Sequence, residues 1–151
     1  ELVENMYETM SKADGVGLAA PQVGLPIRLF VIDLDCLSDE LPEYKDFRKT
    51  FINPEIIEFG GEEESDEEGC LSLPGIHESV KRMKYMDENF TEHDEWIGGY
   101  EARVVQHEYD HLDGKVFIDR ISTLRRQLIK GKINALLKGK AHCNYKVKTP
   151  R

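Results

Sequence analysis

Only 3 cysteines occur in the 151 residues, Cys36, Cys70 and Cys143, too few and too widely spaced for a disulfide framework. That scarcity fits a reducing compartment and no disulfides. No apolar run approaches the roughly 20 residues that a membrane-spanning helix needs, so no contact with a membrane is expected. The chain lacks an initiating methionine and opens inside an amphipathic pattern, so an N-terminal segment is expected to be missing, and with it any targeting signal. Acidic residues are absent from 120–151, which hold 10 of the 20 Lys and Arg residues, whereas 1–119 hold all 29 acids. A basic helix lying on an acidic body would explain this division, as would a tail contacting an anionic partner such as RNA. Composition does not choose between them.

At this length the chain reads as a single domain over 1–151 with room for a real core. Leu2, Val3, Met6, Tyr7 and Met10 follow helical spacing, and Asp14-Gly15 ends that helix. Ile27 to Ile32 reads as a buried strand. Residues 33–49 read as a polar excursion, and strands follow at Phe51 to Asn53 and Glu55 to Phe59, broken at Pro54. Gly60-Gly61 reads as a turn, Glu62 to Glu68 as a solvated acidic edge, His77 to Tyr85 as a strand and Asp87-Glu88-Asn89 as a turn. Tyr100 to His111 is expected to be helical with Gly114 as its cap, and Ser122 to Lys138 to form one C-terminal amphipathic helix stopped by Gly139. Strands first and helices last imply an α+β fold, with mixed or antiparallel sheets packed around a central helix.

That central helix carries Gln106-His107-Glu108-Tyr109-Asp110-His111, an HExxH motif. Residues four apart stack on one helical face. His107 and His111 can therefore share a metal ion, with Glu108 beside its open position, an arrangement suited to activating water. Two histidines need a third protein ligand. The position that would hold a downstream histidine is Phe117, and no glutamate follows Glu108. Asp119, His142 and Cys143 stand in poor contexts. Upstream, Cys70 in Glu68-Gly69-Cys70-Leu71-Ser72-Leu73-Pro74-Gly75 is the better candidate, although a lone cysteine is usually core. The glycines of Gly15-Val16-Gly17-Leu18-Ala19-Ala20-Pro21-Gln22-Val23-Gly24 allow close backbone approach. Gln22 there offers an amide donor to a developing oxyanion.

The three segments GVGLAAPQVG, EGCLSLPG and QHEYDHLDG, in this order and separation, resemble the signature motifs of peptide deformylase. The resemblance runs from about Leu2 to the end, including Phe51-Ile52-Asn53-Pro54 and Lys115 to Asp119. It implies an enzyme of N-terminal methionine processing in protein biosynthesis, which removes the formyl group from nascent formyl-methionine chains and releases formate. It implies that Cys70, His107 and His111 bind the metal, and that metal-activated hydroxide attacks the formyl carbon. Glu108 would act as general base and then acid, with Gln22 and the Leu71 N–H holding the oxyanion. It favours Fe(II) in the cell, with Zn(II) or another divalent ion also able to occupy the site; the donor set alone suggests zinc.

Tyr100 and Val104 share the His107 face and, with Val16, would line a slot for the methionine side chain. The backbone around Val16, Gly17 and Gly69 is where the family pairs with an extended peptide. Against the family pattern, the chain looks several residues short between Arg82 and Met83. The basic tail is similar to the extension that some family members use at the ribosome. A bacterial cytoplasm is the expected setting, and the missing N-terminus leaves an organelle open. Competing readings are another HExxH metallopeptidase, a Cys70-nucleophile amidase that leaves Glu108 and His111 without a role, and a non-catalytic binding protein. His77, His93, His142 and Trp96 read as surface or local packing.

Overall fold

In the computed structural model, the residues described are 1–58, 62–74, 76–84, 87–89, 95–140 and 142–146. Three strands form the sheet that supports everything else: β1 (Gly17–Ala19), β2 (Leu29–Asp33) and β3 (Arg48–Ile52). They pair antiparallel in the order β1-β2-β3, with Gly17 opposite Ile32 and Phe30 opposite Phe51. Successive side chains of a strand point to opposite faces, and here both faces are covered. Phe30 and Ile32 pack with Phe51, Ile97, Ala102, Val104 and Val105 beneath α2 (Gly99–Leu112). Leu29 and Val31 pack with Met6, Tyr7 and Met10 of α1 (Leu2–Lys12). A strand covered on both sides needs apolar residues at every position, so Leu-Phe-Val-Ile shows no alternation.

The remaining strands are β4 (Ile56–Glu58), β5 (Glu62–Gly69), β6 (His77–Lys84), β7 (Asp87–Asn89) and β8 (Glu95–Ile97). β5 and β6 form a two-stranded ribbon with Gly69 opposite His77, and β4-β7-β8 form a third small sheet. All described pairings are antiparallel, and the fold is α+β. Asp87-Glu88-Asn89 is thus a strand and not the expected turn, because pairing on both sides with β4 and β8 outweighs the local turn preference. β6 runs unbroken through Arg82 and Met83. The turn expected at Gly60-Gly61 lies outside the described residues.

α1 ends as expected, with Asp14 in the left-handed region at φ 56° and the Gly15 N–H returning to the Met10 carbonyl at 3.0 Å. Gly114, at φ 71°, closes α2. The expected C-terminal helix is two shorter ones, α3 (Thr123–Leu128) and α4 (Lys130–Leu137), meeting at Ile129. Ile129 departs from helical backbone at ψ 0° and is buried with Ile76, Phe117 and Ile118, so packing under this corner interrupts the helix. Ser122 caps α3 by accepting from the Arg125 N–H at 3.3 Å. No helix among the described residues is long and apolar enough to cross a membrane.

Candidate functional site

α2 buries an unusual set of side chains for a helix against a sheet: Arg103, Gln106, Glu108, Asp110 and His111 are all buried. Buried charge is costly unless paired and hydrogen-bonded, and partners are close. Arg103 Nη1 donates to Glu68 Oε1 at 3.0 Å, and Glu68 Oε2 lies 2.9 Å from His107 Nδ1. The last residues of β5 therefore bring a carboxylate between a guanidinium and an imidazole. Gln106 donates to the Ala102 carbonyl one turn back, and Asp110 accepts from Arg120 Nε at 2.5 Å.

Two residues beyond Glu68 the chain delivers Cys70. Its Sγ lies 3.2 Å from His111 Nε2, and ligand atoms of Cys70, His107 and His111 all fall within 4.8 Å of one another. The two imidazole rings stand edge to face at 5.1 Å, as i and i+4 neighbours on one helical face do. Among the described residues this is the group of side chains that could hold a metal ion. A soft thiolate with two imidazoles is a donor set that suits a divalent transition metal.

The electrostatics are tuned by mutual contact. Burial resists ionisation of the Cys70 thiol, but hydrogen bonds from His107 and His111 outweigh it and bring its pKa down to about 6. Burial likewise resists a charge on His107, yet its bonds to Cys70 and Glu68 carry its pKa up to about 10. His111 is also raised: its contact with Cys70 and the Glu108 charge overcome burial. The thiolate is thereby ready for a cation, whereas the two imidazoles must release their extra protons to bind one.

Gln22 reaches the group from the other side. Its Oε1 is fixed by the Ala19 N–H at 2.8 Å, leaving Nε2 to donate to Ser72 Oγ at 3.1 Å and to face Cys70 Sγ at 3.6 Å. β1 passes so close that a Cβ on Gly17 would stand 2.4 Å from Glu108 Oε1. Any other residue there would push the Glu108 carboxylate aside. A Cβ on Gly15 would meet Leu71 Cδ1 at 2.8 Å, so the first and second motifs touch at that point.

A cavity of about 350 Å³ opens onto these groups. Val16, Gly17, Gln22, Gly69, Cys70, Leu71, Tyr100, Val104, His107 and Glu108 line it, so the residues singled out in the sequence meet at one cleft, His111 adjoining through Cys70. Among the lining residues that were not singled out are Glu68, Arg103 and Tyr145. Glu68 corrects the reading of the acidic run, since it is buried at 6% exposure and not part of a solvated edge. A signal existed, because Arg103 precedes His107 by four residues and shares its face. His142 is exposed, His93 lies outside the described residues, and so do the side chains of His77 and Trp96. All three cysteines are free.

A family model described as polypeptide deformylase matches residues 1–127. A peptide deformylase of Flavobacterium psychrophilum is 49% identical over 160 aligned residues, covering 98% of this chain and 82% of the relative. One from Christiangramia forsetii is also 49% identical, covering 99% and 83%. Among solved structures, peptide deformylase from Plasmodium falciparum superposes with a TM-score of 0.80 at 31% identity, covering 91% of this chain and 81% of that one.

Proposed function

The chain belongs to the polypeptide deformylase family, and from that premise we propose that residues 1–151 act as one catalytic domain hydrolysing the formyl amide of nascent formyl-methionine chains. The observation that carries this reading is the joining of Cys70, His107 and His111 with buried Glu108 at the head of a cleft. Cys70, His107 and His111 would hold one divalent ion, Fe(II) in the cell or Zn(II) in its place. When bound, that ion polarises the formyl carbonyl and makes a water acidic near neutral pH. Glu108 takes the proton of the attacking water and passes it to the leaving amine nitrogen, freeing formate and the new N-terminus.

Gln22 Nε2 and the Leu71 N–H donate to the carbonyl oxygen as negative charge develops on it. Glu68 holds His107 through Nδ1, which directs the other ring nitrogen to the ion. Tyr100, Val104 and Val16 enclose the methionine side chain, while the Val16, Gly17 and Gly69 backbone pairs with the extended peptide. Recognition through main chain suits an enzyme that must accept many sequences. The basic segment 120–151 would bring the enzyme to ribosomal RNA, and a bacterial cytoplasm is the fitting setting.

Formate release from a formyl-methionyl peptide by anaerobically prepared protein tests the reading. Glu108→Ala should lower kcat by about 10²–10⁴, and a chelator should abolish turnover. Chelator-insensitive release would favour Cys70 as nucleophile, and no release from folded, metal-loaded protein would reject the deformylase reading.

A further inference from the structure

The C-terminal segment beyond α4 returns to the cleft. Tyr145 Oη donates to the Leu71 carbonyl at 2.8 Å, across 74 residues of sequence, and the Tyr145 ring lines the cavity. Beside it, Asn144 Nδ2 donates to Asp14 Oδ2 at 3.2 Å, and Cys143 Sγ donates to the Tyr145 carbonyl at 3.1 Å. Asp14 sits on the turn before the first motif and Leu71 in the second, so adjacent tail residues tie down both banks where Gly15 and Leu71 meet. Burial first, then the neighbouring Cys143 and Cys70, push the Tyr145 phenol above its ordinary pKa. It stays protonated, and a carbonyl can only accept, so the direction of this bond is fixed.

The geometry points to Tyr145 as a positioning residue for the reaction, holding the Leu71 backbone so that its N–H is presented to the developing oxyanion. This rests on the oxyanion role proposed for the Leu71 N–H. The Leu71 N–H belongs to the preceding peptide, whose Cys70 carbonyl accepts from the Leu73 N–H at 2.9 Å, and the Leu71 carbonyl belongs to the following one. The direction of the N–H is thus fixed only when the peptides on both sides of the Leu71 Cα are held. Tyr145 supplies the second of these restraints before substrate arrives, which is the preorganisation that oxyanion stabilisation requires.

Tyr145→Phe in the full metal-loaded chain deletes the hydroxyl and keeps the ring. The kcat for formate release should fall about fivefold, as one lost hydrogen bond implies, with KM held within about twofold and the melting temperature close to native. Independently of activity, hydrogen exchange at the amides of residues 71–73 should quicken in the variant. A role in folding alone would lower the melting temperature and leave the kcat of the folded fraction unchanged. An unchanged or raised kcat, or unchanged exchange, overturns the proposal; a raised kcat would mark the tail as an obstructing strap. Should the native chain release no formate, the deformylase reading fails, and the exchange measurement still decides whether Tyr145 restrains Leu71.

Discussion

α2 and the α3–α4 pair bury opposite kinds of residue. α2 turns Arg103, Gln106, Glu108, Asp110 and His111 inward, whereas α3 and α4 leave Leu124, Leu128 and Leu137 about two-thirds exposed. Ordinary burial runs the other way. On α2 the inversion is stabilised by specific partners: Glu68 for Arg103 and His107, Arg120 for Asp110, and Cys70 for His111. On α3 and α4 the apolar side that does pack is narrow, consisting of Ile129, Ile133 and Leu136 over Ile76, Phe117 and Ile118. The difference separates two ways of departing from the average. A polar interior held by specific partners, with one buried oxygen of Glu108 left without a hydrogen bond among the described residues, marks a site, while an apolar exterior on short basic helices is a tolerated surface.

The contrast can be broken most severely at Glu68. Glu68→Ala would remove the buried carboxylate that Arg103 and His107 share, and should cost about 3–5 kcal/mol in urea unfolding. A loss under 1 kcal/mol would show that water reaches this corner and that the pairing is incidental. The thiol gives a smaller and sharper effect. In metal-stripped protein the Cys70 thiolate, followed by its ultraviolet absorbance against a Cys70→Ala control, should titrate near pH 6 instead of the ordinary 9.0. Because its folded value is depressed, the thiolate's contribution to stability is complete above the unfolded value and is lost as pH falls through about 6. A midpoint left near 9.0 would mean that the imidazoles do not act on the sulfur. The smallest effect lies on the other helix: Leu128→Ser should stay within about 0.5 kcal/mol of native, and a larger loss would show that the exposed leucines are packed in solution.

Much of this was legible in the sequence because it is written locally. The i, i+4 histidines, the periodicity of Leu2 to Met10 and the run Leu29 to Ile32 each carry their structural meaning within a few residues. Cys70 became legible only by elimination, once Phe117 and the absence of a later glutamate had closed the usual downstream positions. Glu68 was hidden because the last residue of an acidic run looks like its neighbours, and its partner Arg103 lies 35 residues away. Asp87 to Asn89 were misread because strand identity there comes from two pairing partners and not from composition. The break at Ile129 follows from packing, which an unbroken amphipathic pattern conceals. Tyr145 sits in a basic tail whose charge drew attention away from its one half-buried aromatic.

The central claim is that the buried polar face of α2 and the thiolate of Cys70 together make a metal centre. Substituting Co(II) into the full chain and recording its absorption spectrum tests that claim most directly. The account predicts one equivalent of tetrahedral Co(II) with a thiolate charge-transfer band that disappears in Cys70→Ala. Stoichiometric binding without that band, or the same spectrum in the variant, would contradict it.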